Sequence, residues 1–490
     1  MATTATPTIP VETAPRDGLM GQLTSLPRSY WMVNIMEILE RLAYYGVRVV
    51  IPIYIAQADS PGGLHFTQGE KGTIFGIWAI VQSLVPLFSG GFADRYGYKK
   101  TIATSIGIKA MGYLLMATQR DFWPFLFGCC VLAFGTAIFK PGVQGTMCQS
   151  LSKKNSGVGW GMFYMLVNVG GFLGPPLAHF LFGISWPAVF YGCAVIVSLN
   201  FLMLFTYREV PAGGVQSGGP VKIMVTTFRN IMNLRLAFFI LIMSGFWLMF
   251  MQLYDLLPNF IEDWVDSSKM VAALHLPSWM LWAGSTRGLQ LSQEWMINFD
   301  SGLIIVAVVF ISWLVSRMRR LTSIFVGIII GSLGLIMSGY TTSGYLCMFG
   351  ILVFAVGEML ASPKMNEYLG VIAPEGQKGL YMGYANIPLA VGWGFGSWFG
   401  GNVYETMGEK ASFAVKYLAT QFNITDVPRT EAMNKLMEVT KLSSADATNL
   451  LWGIYHPYRP WFIFAAVGIA SAVGMFFYGR WVKRFEAADV

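Results

Sequence analysis

The sequence predicts an all-α membrane protein: twelve transmembrane helices arranged as two six-helix bundles. Three observations carry that expectation. Of 490 residues, 54% are hydrophobic and 12% charged, about half of the roughly 25% charge found in soluble domains. The apolar residues gather into runs of about 20, the length a helix needs to cross a hydrocarbon core. The lysines and arginines concentrate in alternate connections between those runs, as the positive-inside rule describes. The runs are continuous rather than alternating. Since every backbone N–H and C=O in lipid must be paired within its own segment or in a closed barrel, helices are expected and barrel strands are not.

Residues 1–28 form a polar tail rich in Thr and Pro, without the basic start and apolar core of a cleaved signal peptide. The expectation is a cytoplasmic tail, followed by a first span that acts as an uncleaved insertion signal. The N-terminal bundle, 29–207, holds spans near 29–56, 69–93, 101–118, 122–148, 157–183 and 185–207. Arg95, Lys99 and Lys100 follow the second span, and Lys153 and Lys154 follow the fourth. A linker at 208–234 carries Arg208, Lys222 and Arg229 together with Pro211, Gly213–Gly214 and Gly218–Gly219–Pro220, which reads as a flexible cytoplasmic connection. The C-terminal bundle, 235–484, holds spans near 235–260, 298–316, 321–340, 343–370, 379–404 and 459–480. Its basic connections carry Arg317, Arg319 and Arg320, then Lys364 and Lys378, and Arg480, Lys483 and Arg484 precede a short tail at 485–490. Two long outer loops lie near 261–297 and 405–458. The second contains Ala432-Met-Asn-Lys-Leu-Met-Glu-Val, whose apolar spacing suits a helix lying on the outer surface. An even number of spans puts both termini in the cytoplasm, in a plasma-membrane (or bacterial inner-membrane) protein. The formal charge of +7 is then a topology signal and does not call for nucleic acid.

Other chemistry is hard to find. The five cysteines lie in or beside apolar runs without zinc or disulfide spacing, and the four histidines are scattered singly. There is no His-Glu-x-x-His pair, no serine–lysine nucleophile pair and no phosphate-binding Gly loop. No metal, no cofactor and no enzymatic activity are expected.

The loop after the second span reads Gly91-Phe-Ala-Asp94-Arg95-Tyr-Gly97-Tyr-Lys99-Lys100 and resembles the signature loop of the major facilitator superfamily. In that fold two six-helix halves rock about a central site. Ionisable groups inside spans cost roughly 2.5–3.5 kcal/mol each on insertion scales, so their positions are informative. Glu37, Glu40, Arg41 and Arg48 all fall in the first span. At helical spacing Glu37, Arg41, Tyr44, Tyr45 and Arg48 share a broad face, which lines a central cavity or, alternatively, forms an ion-pair lattice that only holds helices together. Lys140 sits inside span four before Pro141 and either faces the cavity or snorkels to an interface. Glu358 lies far from both ends of span ten; Asp255, near the outer end of span seven, could be interfacial, and Lys109 in span three reads either way.

Four segments, in order, are similar to motifs of the proton-dependent oligopeptide transporter family: Glu37-Ile-Leu-Glu40-Arg41-Leu-Ala-Tyr44-Tyr45-Gly46, Phe134-Gly-Thr-Ala-Ile-Phe-Lys140-Pro141, Phe163-Tyr164-Met-Leu-Val-Asn168-Val-Gly170, and Gly357-Glu358-Met-Leu-Ala-Ser362-Pro363. Phe246-Trp247 through Gln252, and Asn298, fit more loosely. The resemblance implies proton-driven uptake of di- or tripeptides by a monomeric carrier, with the proton as coupling ion. It implies that Arg48 and Lys140 hold the substrate carboxylate and Glu358 its amino group. Tyr44, Tyr45, Tyr164, Asn168, Asn298 and Ser362 would line the pocket, and Glu37, Glu40 and Arg41 would couple the proton. The family's usual acid before the span-seven glutamine is Met251 here, leaving Asp255, one turn on, as the nearest acid and the fourth coupling candidate. Alternatives are transport or export of another small solute, or a receptor or scaffold that has kept the fold without transport.

Overall fold

In the computed structural model, residues 19–152, 155–210, 220–282, 288–315, 318–374, 381 and 383–486 are described. The tail before residue 19, the Gly-rich part of the linker, and Lys153, Lys154, Arg317 and Lys378 lie outside them. The first half comprises α1 (Leu19–Thr24), α2 (Arg28–Arg48), α3 (Ile51–Ala56), α4 (Gln68–Tyr96), α5 (Tyr98–Thr118), α6 (Phe122–Ser150), α7 (Ser156–Phe182) and α8 (Trp186–Leu204). After α9 (Pro220–Ile231) the second half comprises α10 (Leu234–Asp255), α11 (Leu257–Trp264), α12 (Ser268–Leu274), the two-residue strands β1 (Leu281–Trp282) and β2 (Gln290–Leu291), α13 (Gln293–Val315), α14 (Arg320–Gly339), α15 (Gly344–Ile372), α16 (Asn386–Met407), α17 (Lys410–Phe422), α18 (Ala432–Thr440), α19 (Ser444–Tyr455) and α20 (Arg459–Glu486).

Twelve of these helices have 19 residues or more. Seven of the twelve (α6, α7, α8, α10, α14, α15 and α20) are long and apolar enough to cross a membrane by composition alone. α2 falls outside that set because it carries Glu37, Glu40 and Arg41 mid-helix, between Arg28 and Arg48 at its ends.

Two of the expected spans are broken near the same end of the molecule, each by a proline. Pro52 has no N–H for the carbonyl of Arg48 and its ring crowds that carbonyl, so the first span divides into α2 and α3. Pro258 does the same to Tyr254, and α10 stops at Asp255 before α11 begins. The start of α4 is set by a capping box: the Glu70 N–H donates to Thr67 Oγ at 3.1 Å and the Thr67 N–H to the Glu70 carboxylate at 2.8 Å. Its end is set by Gly97, at φ +96°, a conformation that suits glycine. The linker is not coil throughout, since α9 occupies most of its second half. The two long loops also contain more helix than the sequence suggested. The expected surface helix is α18, flanked by α17 and α19, while α11, α12 and the β1–β2 hairpin fill the other loop.

Within the first half α2 packs on α6, α7 and α8, α5 on α6 and α8, and α4 on α6. Within the second, α14 packs on α15 and α20, α10 on α16 and α20, and α13 on α15. The halves meet chiefly along α4 with α16 and α7 with α13, and more lightly where α3 touches α11. In the first pair glycine permits backbone contact: a Cβ on Gly401 would lie 2.3 Å from the Gln68 carbonyl, and one on Gly72 2.4 Å from that of Ser397. The end bearing α3, α11, α12 and α17–α19 is called the cap end below; the opposite end bears Arg95, Lys99, Arg319, Arg320 and Arg480.

Candidate functional site

The chemistry-bearing residues fall into three groups along the seam between the halves. The first is built on α2. Glu37 and Arg41 are one turn apart, so helical geometry alone brings Arg41 Nε to 3.1 Å from the Glu37 carboxylate. Arg41 also reaches Glu40 at 2.5 Å, and Lys109 of α5 stands 3.4 Å from the other Glu40 oxygen while its ammonium lies 3.6 Å from the centre of the Phe139 ring. All four side chains are buried. Lys140 of α6 is within electrostatic reach of Glu37, Glu40 and Arg41. Two carboxyls against three basic groups give this pole a basic excess.

The second group lies on α10, α13 and α15. Asp300 is buried and accepts a hydrogen bond from the Tyr254 hydroxyl at 2.7 Å. Glu358, partly exposed, is within electrostatic reach of Asp300, Tyr45 and Tyr164. Tyr45 feels both Arg41 and Glu358, so it stands where the two poles meet. Neither carboxylate has a lysine or arginine acting on it among the described residues.

The third group closes the cap end. Arg48 pairs with Asp255 across the halves, both side chains buried. The guanidinium lies 4.6 Å from the Phe75 ring centre and 5.3 Å from that of Trp393, and Asp255 also accepts from Ser397 Oγ and from Trp393 Nε1. Buried ions are tolerated only when paired and hydrogen-bonded, and this pair meets both conditions. Around it Lys71 donates to Asn259 Oδ1 at 2.6 Å and to the Asp255 carbonyl at 2.8 Å, Gln57 donates to Asp263 at 2.9 Å, and Gln293 donates to the Val49 carbonyl at 3.2 Å. His179 of α7 contacts Glu294 of α13. Further out, Arg429 donates to the carbonyls of Ala56 and Phe66 in the first half and to Glu409 in the second. The halves are therefore closed against each other at this end.

The residues singled out from the sequence distribute over all three groups. Glu37, Glu40 and Arg41 form the α2 cluster, whereas Asp255 is drawn into the closed end. Arg48, expected beside Lys140, is occupied by Asp255 in this conformation. Tyr44 is buried and accepts from Gln82 at 3.0 Å, which in turn accepts from Trp78 Nε1 at 2.7 Å. Asn168 donates to the Tyr164 carbonyl of its own helix, and Asn298 donates across the seam to the Phe172 carbonyl at 2.9 Å. Glu358 Oε2, Asn298 Oδ1 and Ser362 Oγ are enclosed without a hydrogen-bond partner. Lys71, His179, Glu294, Asp300 and Tyr254 were not singled out, and Lys109 was left open. The available signal was the same for Lys71 and Asp300 as for Glu358: a charge inside or at the edge of an apolar run.

The Major Facilitator Superfamily profile matches residues 33–397. The multidrug resistance protein MdtH of Yersinia enterocolitica (serotype O:8 / biotype 1B) is 23% identical over 340 residues, covering 68% of this chain and 78% of that protein. Among solved structures, the nucleoside transporter NupG is 12% identical with a TM-score of 0.66, covering 92% of this chain and 98% of its own. A POT family transporter in complex with 5-aminolevulinic acid is 13% identical with a TM-score of 0.63, covering 89% and 99%. At such identities the structural likeness shows a shared fold.

Proposed function

The chain belongs to the Major Facilitator Superfamily and is a multi-pass membrane transporter, and from that premise we propose that it imports short peptides or peptide-like zwitterions together with protons. The observation that carries this reading is the separation of charge between the halves. Lys140 and the α2 cluster make a basic pole in the first half, and Glu358 with Asp300 makes an acidic pole in the second. A zwitterion bridging them draws the halves together, which is the step alternating access needs. The four ordered motif segments and the POT family neighbours support the same substrate class.

In this reading all twelve long helices cross the membrane, with the cap end outside. Arg48 and Asp255 form the outer latch. Opening it exposes the poles to the outer solution and frees Arg48 for a substrate carboxylate. The Glu37–Arg41–Glu40–Lys109 cluster carries the proton. When the halves rock and Arg41 or Lys109 leaves a glutamate, a buried carboxylate loses its cation, and a proton takes the cation's place. When the cation returns, the proton is released to the other side.

The test is uptake of a labelled dipeptide into proteoliposomes with and without an inward proton gradient. Accumulation above the external concentration only with the gradient is the expected result. Uptake indifferent to the gradient, or none, would overturn the reading. A second reading, export of drug-like compounds, is favoured by the likeness to the multidrug resistance protein MdtH over 68% of the chain. It predicts that the same vesicles take up no dipeptide and instead exchange a drug-like compound for protons.

A further inference from the structure

The carboxylates at the seam are not alike. Glu37 and Glu40 share Arg41 and Lys109, Asp255 has Arg48, and Glu294 has His179. Asp300 and Glu358 have no such partner among the described residues, although they lie within electrostatic reach of one another. Asp300 is 1% exposed. One of its oxygens takes the Tyr254 hydroxyl, while Oδ1 is enclosed with no donor, as is Glu358 Oε2. Two buried acceptors on adjacent helices therefore await donors. Tyr45, Tyr164 and Tyr254 stand around them, and aromatic faces beside acids are the surroundings that favour a cationic nitrogen. Tyr164 is 47% exposed.

We infer that Asp300 and Glu358 form a two-carboxylate receptor, and that Asp300 selects substrates carrying a second cationic nitrogen besides the α-ammonium, as a lysine- or arginine-containing dipeptide does. The inference rests on the reading above and narrows its substrate class. A neutral zwitterion brings one ammonium to this pole and leaves the second carboxyl without a cationic partner. A basic dipeptide brings two cationic groups, one for each carboxylate. Charged hydrogen bonds made out of water are the strong ones, so the second nitrogen contributes affinity where an uncharged side chain contributes none. Asp300 acts on the ligand and lies apart from the α2 cluster, so removing its charge should weaken a dicationic ligand more than a neutral dipeptide.

The experiment compares binding of Ala-Ala, Lys-Ala and the diamine cadaverine to purified parent protein, Asp300→Asn and Asp300→Glu, by calorimetry and by counterflow in proteoliposomes. Lys-Ala should bind the parent about tenfold or more tightly than Ala-Ala, the effect of one charged hydrogen bond. Asp300→Asn should lose more affinity for Lys-Ala than for Ala-Ala, so that the preference collapses, and Asp300→Glu should keep it. Equal affinity of the parent for the two dipeptides overturns the inference and leaves the peptide reading standing. A preference that survives in Asp300→Asn also overturns it. If neither dipeptide binds but cadaverine does, and only with Asp300 present, the receptor stands and the peptide reading falls. The parent's own selectivity decides the matter even if a variant fails to fold.

Discussion

Arg48 is held by three contacts at once: the Asp255 carboxylate and the faces of Phe75 and Trp393. Removing one member of a buried ion pair leaves the other charge stranded and costs about 3–5 kcal/mol. Asp255→Ala should therefore destabilise the cap-closed state by about that amount, whereas Arg48→Met with Asp255→Met should cost much less. Thermal unfolding, together with a spin-label distance across the cap end, reads both effects; a single variant as stable and as closed as the parent would remove the latch from the account. The α2 cluster yields a second expectation. Glu40 sits between two cations, so Glu40→Gln and Glu37→Gln should abolish gradient-driven accumulation while sparing counterflow, which moves no net proton. Lys109→Met should weaken the same coupling, because Glu40 loses one of its two partners. Concentrative uptake by both glutamine variants would make the cluster structural only. The pairing of Glu37 with Arg41 was readable from their spacing of four along one helix. That of Glu40 with Lys109 was not, because it joins α2 to α5.

At the scale of elements, the crossing of α4 and α16 is where the halves come closest. A methyl on Gly401 would press on the Gln68 backbone carbonyl, which cannot turn aside as a side chain could. Overpacking of this kind costs about 1–3 kcal/mol. If this crossing is a closing contact of the cap end, Gly401→Ala should shift the population toward an open conformer, with slower transport and a longer cap-end label distance; an unchanged distance would count against that role. The segment between α17 and α18 acts as a strap through Arg429, which ties Glu409 to first-half carbonyls. Burial raises the Glu409 carboxyl above its ordinary range, while Arg429 pulls it down. With the folded-state value above the unfolded one, this group's contribution is fully present below the unfolded value and is lost as pH rises through the folded one. Arg429→Ala removes the downward pull, so the variant should gain thermal stability on acidification over a wider window reaching to higher pH than the parent does. A melting temperature with the same pH dependence in both would remove Glu409 from the strap. The sequence showed the apolar spacing of α18 but not that strap, whose contacts run between residues more than 360 positions apart.

For the whole molecule, the alternation of basic connections predicts that both ends of the chain, and the linker between the halves, lie on one side of the membrane. Reporters fused at Ser217 and after Val490 should both read cytoplasmic. An outside signal from the first would break the six-plus-six division. The halves in this structure are closed at the cap end by the latch, the glycine crossing and the strap. A carrier of this kind should gain affinity for substrate when the latch opens and frees Arg48, so locking the cap end with a cross-link should lower substrate affinity from the outside without unfolding the protein.

Helix positions followed from the sequence because burial in lipid acts on each run of about 20 residues by itself. The two-half division followed from the linker and the basic loops. The charges of the α2 cluster were readable too, since one turn of helix brings Glu37 to Arg41 whatever the rest of the chain does. Only the tertiary structure decided which buried charges are paired across helices and which are not. Asp255 looked interfacial and proved to be the partner of Arg48, and Asp300 passed unremarked though it lies beside Glu358. A charge in an apolar run announces a cost in one dimension, but its partner is chosen by how separate helices pack in three.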